Sequence, residues 1–100
     1  MNLRLDGPKA DRVEAIAREI TNGLRAASAG LPRRNQVIIL GPAPAPLERL
    51  RERYRWQILL KGRDPRSLQS LVRPACEAMR RRARAAAVRI AIDVDPYGML

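Results

Sequence analysis

Asp93 and Asp95 stand two residues apart near the end of the chain, a spacing that puts both carboxylates on one face of a strand. Such a pair can act as an acid/base dyad or hold Mg²⁺, but here it lacks the company either role needs. The sequence has no histidine and a single cysteine, Cys76. That excludes Ser-His-Asp and Cys-His nucleophiles as well as a zinc site of the Cys/His type. No Gly-rich phosphate loop ending in Gly-Lys-Ser/Thr is present. The carboxylates are expected to cap the strand end or to pair with arginine. No catalytic residue, metal ligand or cofactor site is assigned, and the chain is not read as an enzyme. Cys76 reads as a small core or boundary residue.

The residues that can do chemistry by number and spacing are the bases. Among 100 residues there are 20 Lys and Arg against 10 Asp and Glu, a net charge of +10. Between Arg49 and Arg89 lie 13 bases, opposed only by Glu52, Asp64 and Glu77, so 13 minus 3 places +10 in that stretch; the remainder, with seven of each sign, sums to zero. Charge concentrated in this way points to a polyanion, nucleic acid above all; solvated arginines that aid solubility are the competing explanation. From Leu50 to Lys61, even positions are apolar or aromatic apart from Glu52, and odd positions are mostly basic. Read as one strand, this segment carries Arg49, Arg51, Arg53 and Arg55 as a comb on one face, about 6.5–7 Å apart, with Lys61 further along. That spacing matches the phosphate repeat of an extended nucleic-acid strand. A second group, Arg80, Arg81, Arg82 and Arg84, closes a helix. It is either a phosphate-contacting patch or favourable charge on the helix dipole.

The elements that must position these residues follow from periodicity. Leu3 and Leu5 flank Arg4 in a first strand, residues 2–6, broken by Gly7-Pro8. Pro8 suits the first position of a helix, and Val13, Ile16, Ala17, Ile20 and Leu24 form its apolar stripe up to a stop at Gly30 and Pro32. Val37–Leu40 is a second strand. The run from Gly41 to Pro46, with prolines 42, 44 and 46, is expected to be a stiff, polyproline-like connector. The third strand is the Arg-rich segment. Asp64 and Pro65 open a second helix with Leu68, Leu71, Val72, Ala75 and Met79 inward and an irregularity expected at Pro74. Val88, Ile90, Ile92 and Val94 alternate in a last strand. The order βαββαβ predicts an α+β split βαβ (ferredoxin-like) fold, a four-stranded antiparallel sheet with two helices on one face and the other face solvated or used for binding. Residues 1–100 read as one domain. Tyr54 and Trp56 face either the core or a stacked base. The N-terminus lacks the apolar core of a signal peptide, and no apolar run approaches the ~18 residues of a membrane span, so a reducing, cytoplasmic location is expected.

The segment Val37–Lys61, with Leu40-Gly41-Pro42-Ala43-Pro44-Ala45-Pro46 and Arg53-Tyr54-Arg55-Trp56-Gln57-Ile58-Leu59-Leu60-Lys61, resembles the C-terminal domain of primosomal protein N′, the PriA family of replication-restart DNA helicases. Ile92-Asp93-Val94-Asp95-Pro96 resembles that family's C-terminus, and Leu3–Leu24 is compatible with its start. The resemblance implies a fold similar to the ribosomal S10 protein and a bacterial, nucleoid-associated setting. It implies an ATP-dependent 3′→5′ helicase whose ATP, Mg and Zn sites lie upstream, so that the chain is a cut-out domain or a standalone relative. It also implies as partners forked and single-stranded DNA, the helicase core of the same polypeptide, and the acidic tail of single-stranded DNA-binding protein. The tail would dock near the start of the second helix, at Gln69. Pro65 stands where the family's basic residue falls, with Arg63 and Arg66 beside it. An S10-like RNA- or protein-binding domain is the remaining alternative.

Overall fold

The computed structural model describes residues 1–50 and 53–94 of the chain, with side chains described outside residues 46–50. Strand β1 (Asn2–Gly7) leads into helix α1 (Ala10–Ala29). A short 3₁₀ turn (Arg33–Asn35) precedes β2 (Ile38–Leu50), then come β3 (Arg53–Lys61), helix α2 (Pro65–Ala85) and β4 (Arg89–Asp93). All strand pairs are antiparallel in the order β2-β3-β1-β4, the ferredoxin-like arrangement expected for βαββαβ.

Both helices cover one sheet face, as their single apolar stripes require. Val13, Ile16, Ala17, Ile20 and Leu24 of α1 and Leu68, Leu71 and Val72 of α2 are buried against Leu3, Leu5, Ile58 and Leu60 of the two central strands. Full burial of each such Leu or Ile stabilises the fold by about 1.5–3 kcal/mol. Two polar groups inside this layer are satisfied locally: Thr21 Oγ1 donates to the Ala17 carbonyl at 2.8 Å, and Ser28 Oγ accepts the Val37 N–H at 2.9 Å. The second of these ties the end of α1 to the start of β2.

Helix α2 begins as its sequence dictates. Asp64 accepts the Ser67 N–H at 2.8 Å, which is N-capping geometry, and Pro65 occupies the first turn, where no N–H is needed. The helix runs on through Pro74 to Ala85. It ends with Ala87 in the left-handed region, at φ 59°, while the Val88 N–H reaches back to the Ala83 carbonyl at 2.8 Å.

The structure departs from the sequence expectations at four places. Helix α1 starts at Ala10 with Lys9 as its N-cap, so Pro8 precedes the helix rather than opening it. The last strand stops at Asp93. Val88 is buried in the turn before it. The proline-rich run is not a connector: β2 continues through it, and Ala43 and Pro44 pair with Gln57 and Trp56. Because β2 is an edge strand, prolines lacking N–H groups are tolerated there. Register shifts accompany them between Leu40 and Ala43 and between Pro44 and Arg49. Gly41, at φ +104° with the Gln57 carbonyl 3.0 Å from where a Cβ would sit, makes the first shift feasible.

The fourth departure bears on the site. Residues 50–61 are not one strand: β2 ends at Leu50 and β3 begins at Arg53, antiparallel to it. Arg49 therefore lies on β2 in register with Tyr54, and Leu50 opposite Arg53. The four-tooth comb does not exist as a linear array.

Candidate nucleic-acid interface

With both helices on one side, the sheet's other face is uncovered. Alternation from the buried Leu3, Leu5, Ile58 and Leu60 assigns that open face to Asn2, Arg4 and Asp6 of β1, to Arg53, Arg55, Gln57, Leu59 and Lys61 of β3, and to Arg89, Ala91 and Asp93 of β4. Ile38 and Leu40 extend it at the β2 edge, opposite Lys61 and Leu59.

Its charge is polarised. At one end, among the described residues, a single carboxylate, Asp6, lies among three arginines. Arg55 faces it across β3, and Arg89 across β4. Arg53, diagonal to it, donates from Nε to Asp6 Oδ2 at 2.6 Å and from Nη2 to the Asp6 carbonyl at 3.3 Å. Arg89 donates through Nε and Nη2 at 3.3 and 3.0 Å, one bond to each carboxylate oxygen. The Asp6 side chain is only 16% exposed, whereas that of Arg89 is 73% exposed, so the acid is screened and the bases present themselves to solvent. Burial alone would raise the Asp6 pKa. The hydrogen bonds and charges of Arg89 and Arg53 outweigh it and hold the carboxyl below its ordinary value, and the Arg89 pKa is raised in return by its bonds to Asp6. Among the described residues, three bases against one acid leave a surplus of +2 at this end. The middle of the face is neutral, because Arg4 pairs with Asp93 at 2.7 Å. The far end is apolar, with Ile38 60%, Leu40 47% and Leu59 39% exposed beside Lys61.

Other sequence-predicted bases sit elsewhere. Arg51 and Asp95 lie outside the described residues, as does the Arg49 side chain. Arg80, Arg81, Arg82 and Arg84 lie on α2, off the sheet face. There Arg82 pairs with Glu19 at 2.5 Å and Arg80 with Glu77 at 3.3 Å, while among the described residues Arg81 and Arg84 have no acidic partner. The two basic groups nonetheless meet. A groove of about 550 Å³ between α2 and the β4 edge is lined by Arg73, Arg80, Arg84 and one acid, Glu77, on the helix side and by Arg89 on the strand side, over Cys76 and Ile90. Arg89 thus belongs both to this groove and to the Asp6 cluster. Burial raises the Cys76 thiol pKa, so at neutral pH the residue is a packing group rather than a thiolate. Arg63, Arg66 and Gln69 are exposed at the start of α2.

Trp56 turns to the helix side, packed against the core with the Arg18 guanidinium 5.9 Å above its ring. Tyr54, two residues away on β3, shares that side. Neither aromatic is offered to the open face. Sequence reasoning passed over Arg89, Arg73 and Asp6 as site residues. The available signal was that Asp6 and Arg89 alternate with buried neighbours, which sends both to the outer face.

A larger groove of about 660 Å³ lies between α1 and α2, lined by small residues such as Gly23, Ala27, Ala75 and Ala78. Its one charged lining residue is Glu19, so it is unsuited to a polyanion. Among the described residues no cluster of three or more His, Cys, Asp or Glu could hold a metal ion. No helix among them is long and apolar enough to cross a membrane.

Comparison with known proteins agrees with the resemblance carried by the proline-rich and C-terminal motifs. The family model of the primosomal protein N C-terminal domain matches residues 1–97. Over 62 residues the chain is 36% identical to the replication restart protein PriA of Bacillus subtilis (strain 168), which covers 62% of this chain but only 8% of that protein's length. By sequence, the chain belongs to the primosomal protein N C-terminal domain family, a domain of replication-restart proteins.

Proposed function

We propose that this chain is a DNA-binding module of a bacterial replication-restart helicase. It contacts forked or single-stranded DNA through phosphates, without reading sequence. The observation that carries this reading is the uncovered sheet face on which Arg53, Arg55 and Arg89 surround one screened carboxylate. The groove arginines Arg73, Arg80 and Arg84 continue the same basic surface around the β4 edge. A guanidinium suits phosphate because it offers parallel N–H donors. Contacts confined to phosphates position a strand but do not distinguish bases. Helicase chemistry, with its ATP, Mg and Zn, belongs to other domains of the restart protein, and the module works in the cytoplasm, at the nucleoid.

Fluorescence anisotropy with forked and single-stranded DNA at ~50 and ~200 mM salt tests this. Affinity is expected to fall steeply between the two and to be alike for unrelated sequences. No binding at the lower salt sinks the proposal.

A second reading is favoured by the exposed Arg66 and Gln69, three apart on one face of α2, with Arg63 beside them. They offer a cation and an amide to a carboxylate-bearing peptide, here the acidic tail of single-stranded DNA-binding protein. A chain carrying Arg66→Glu and Gln69→Ala that binds the tail peptide as the parent does in calorimetry refutes it.

A further inference from the structure

Asp6 has no partner of opposite charge to neutralise in the usual one-to-one sense, because two guanidinium groups share its carboxylate and a third stands opposite in register. The donor inventory shows what this leaves over. Each guanidinium has five N–H donors. Arg53 spends Nε and Nη2 on Asp6, and Arg89 spends Nε and Nη2 on the same residue. Among the described residues neither Nη1 group has a partner. Both side chains are therefore held by the Nε side, with their Nη1 amino groups free. Long arginine side chains lose rotamer freedom when they bind an anion; here part of that loss is already met in the unliganded fold.

We infer that Asp6 is a positioning residue that sets Arg53 and Arg89 as a two-armed receptor for one backbone phosphate of the nucleic acid, with Arg55 as the third base, unpaired among the described residues. The inference rests on the DNA-binding reading above and deepens it by naming the phosphate subsite. Asp6 does not touch the ligand: its side chain is 16% exposed, beneath guanidinium groups that are 35% and 73% exposed.

The test exploits a conflict of sign. Asp6→Asn removes a negative charge from a polyanion-binding surface, and long-range electrostatics alone then requires tighter DNA binding. Loss of positioning requires weaker binding. Single-stranded DNA binding is measured by anisotropy at ~50 mM salt for the parent chain, Asp6→Asn and Asp11→Asn. The last makes the same charge change on an exposed residue in the first turn of α1. Asp6→Asn is expected to bind about three- to tenfold more weakly than the parent, and Asp11→Asn as tightly or more tightly. If Asp6→Asn fails to fold by circular dichroism, Arg89→Lys carries the test. It keeps the charge on a largely exposed side chain but removes the fork, and the same loss is expected. A parent chain that binds DNA while Asp6→Asn, or in its place Arg89→Lys, binds equally or more tightly overturns this inference alone. A parent chain that does not bind overturns the DNA-binding reading as well.

Discussion

Asp6 shows how much one residue can decide on an open sheet face. Isolated surface ion pairs contribute little, commonly under ~1 kcal/mol, and Arg4–Asp93, with both side chains about half exposed, is of that kind. Asp6 differs because it is screened and takes hydrogen bonds from two strands. Its pKa in the fold is lowered: burial opposes ionisation, but the bonds from Arg89 and Arg53 prevail. A carboxyl depressed in the folded state adds stability at pH above its unfolded value, about 4, and that contribution is lost as pH falls through the folded pKa. Chemical denaturation followed across the acid range is expected to show a shallower loss of stability in Asp6→Asn than in the parent; equal slopes count against the role of this ion cluster in the fold. Gly7, the next residue, is held by space rather than charge. A Cβ there would lie 2.8 Å from the Ala87 carbonyl and 3.0 Å from Val13 Cγ2. Gly7→Ala is expected to cost about 1–3 kcal/mol by overpacking, read as a lower midpoint in urea.

At the scale of elements, the two ends of α2 contrast. Its start follows the local code, with Asp64 capping and Pro65 in the first turn. Its end uses Ala87 in a left-handed conformation that glycine adopts without cost. Ala87→Gly is expected to stabilise the chain by about 1 kcal/mol, read by thermal unfolding; an unchanged or lower midpoint refutes the argument. The edge strand β2 raises a different question, since prolines deprive it of ladder donors. Arg25 of α1 ties the strand to the helix layer instead, donating from Nη2 to the Gly41 carbonyl at 2.9 Å and to that of Ile39 at 3.3 Å. Arg25→Ala is expected to speed amide exchange at Leu59, across from Leu40 of β2 in the register, while the Leu60 N–H, bonded to the Met1 carbonyl on the β1 side, and the β1–β4 pairs stay protected.

At the scale of the molecule, two helices protect one face of the sheet and leave the other uncovered, and the surplus charge gathers at one end of that face and turns the β4 edge into the α2 groove. Substitutions distributed over that surface are expected to act by location rather than by count. Arg53→Ala with Arg55→Ala is expected to weaken DNA binding more than Arg81→Ala with Arg84→Ala, although each pair removes the same charge. Anisotropy at one salt concentration separates the two, and equal losses imply that only net charge matters.

The amino-acid sequence by itself determined the order of elements and the core. Periods of 3.6 and 2 are local properties, and Val13, Ile16, Ala17, Ile20 and Leu24, with Leu3 and Leu5, are buried where their spacing puts them. It also determined the family, through motifs that need no geometry to be matched. The arginine comb was legible only in composition. Apolar-basic alternation is the same on either side of a hairpin, so nothing in residues 50–61 marks the reversal. Pairing Leu50 with Arg53 then sets an even position opposite an odd one and takes Arg49 out of line. Strand β2 was legible only up to Leu40, because proline's missing donor argues against a strand unless the strand is known to be an edge. Asp6 and Arg89, 83 residues apart in sequence, were brought together by the pairing of β1 with β4. Only the tertiary structure decided that pairing, because a charge cluster on a sheet depends on which strands are neighbours and in what register.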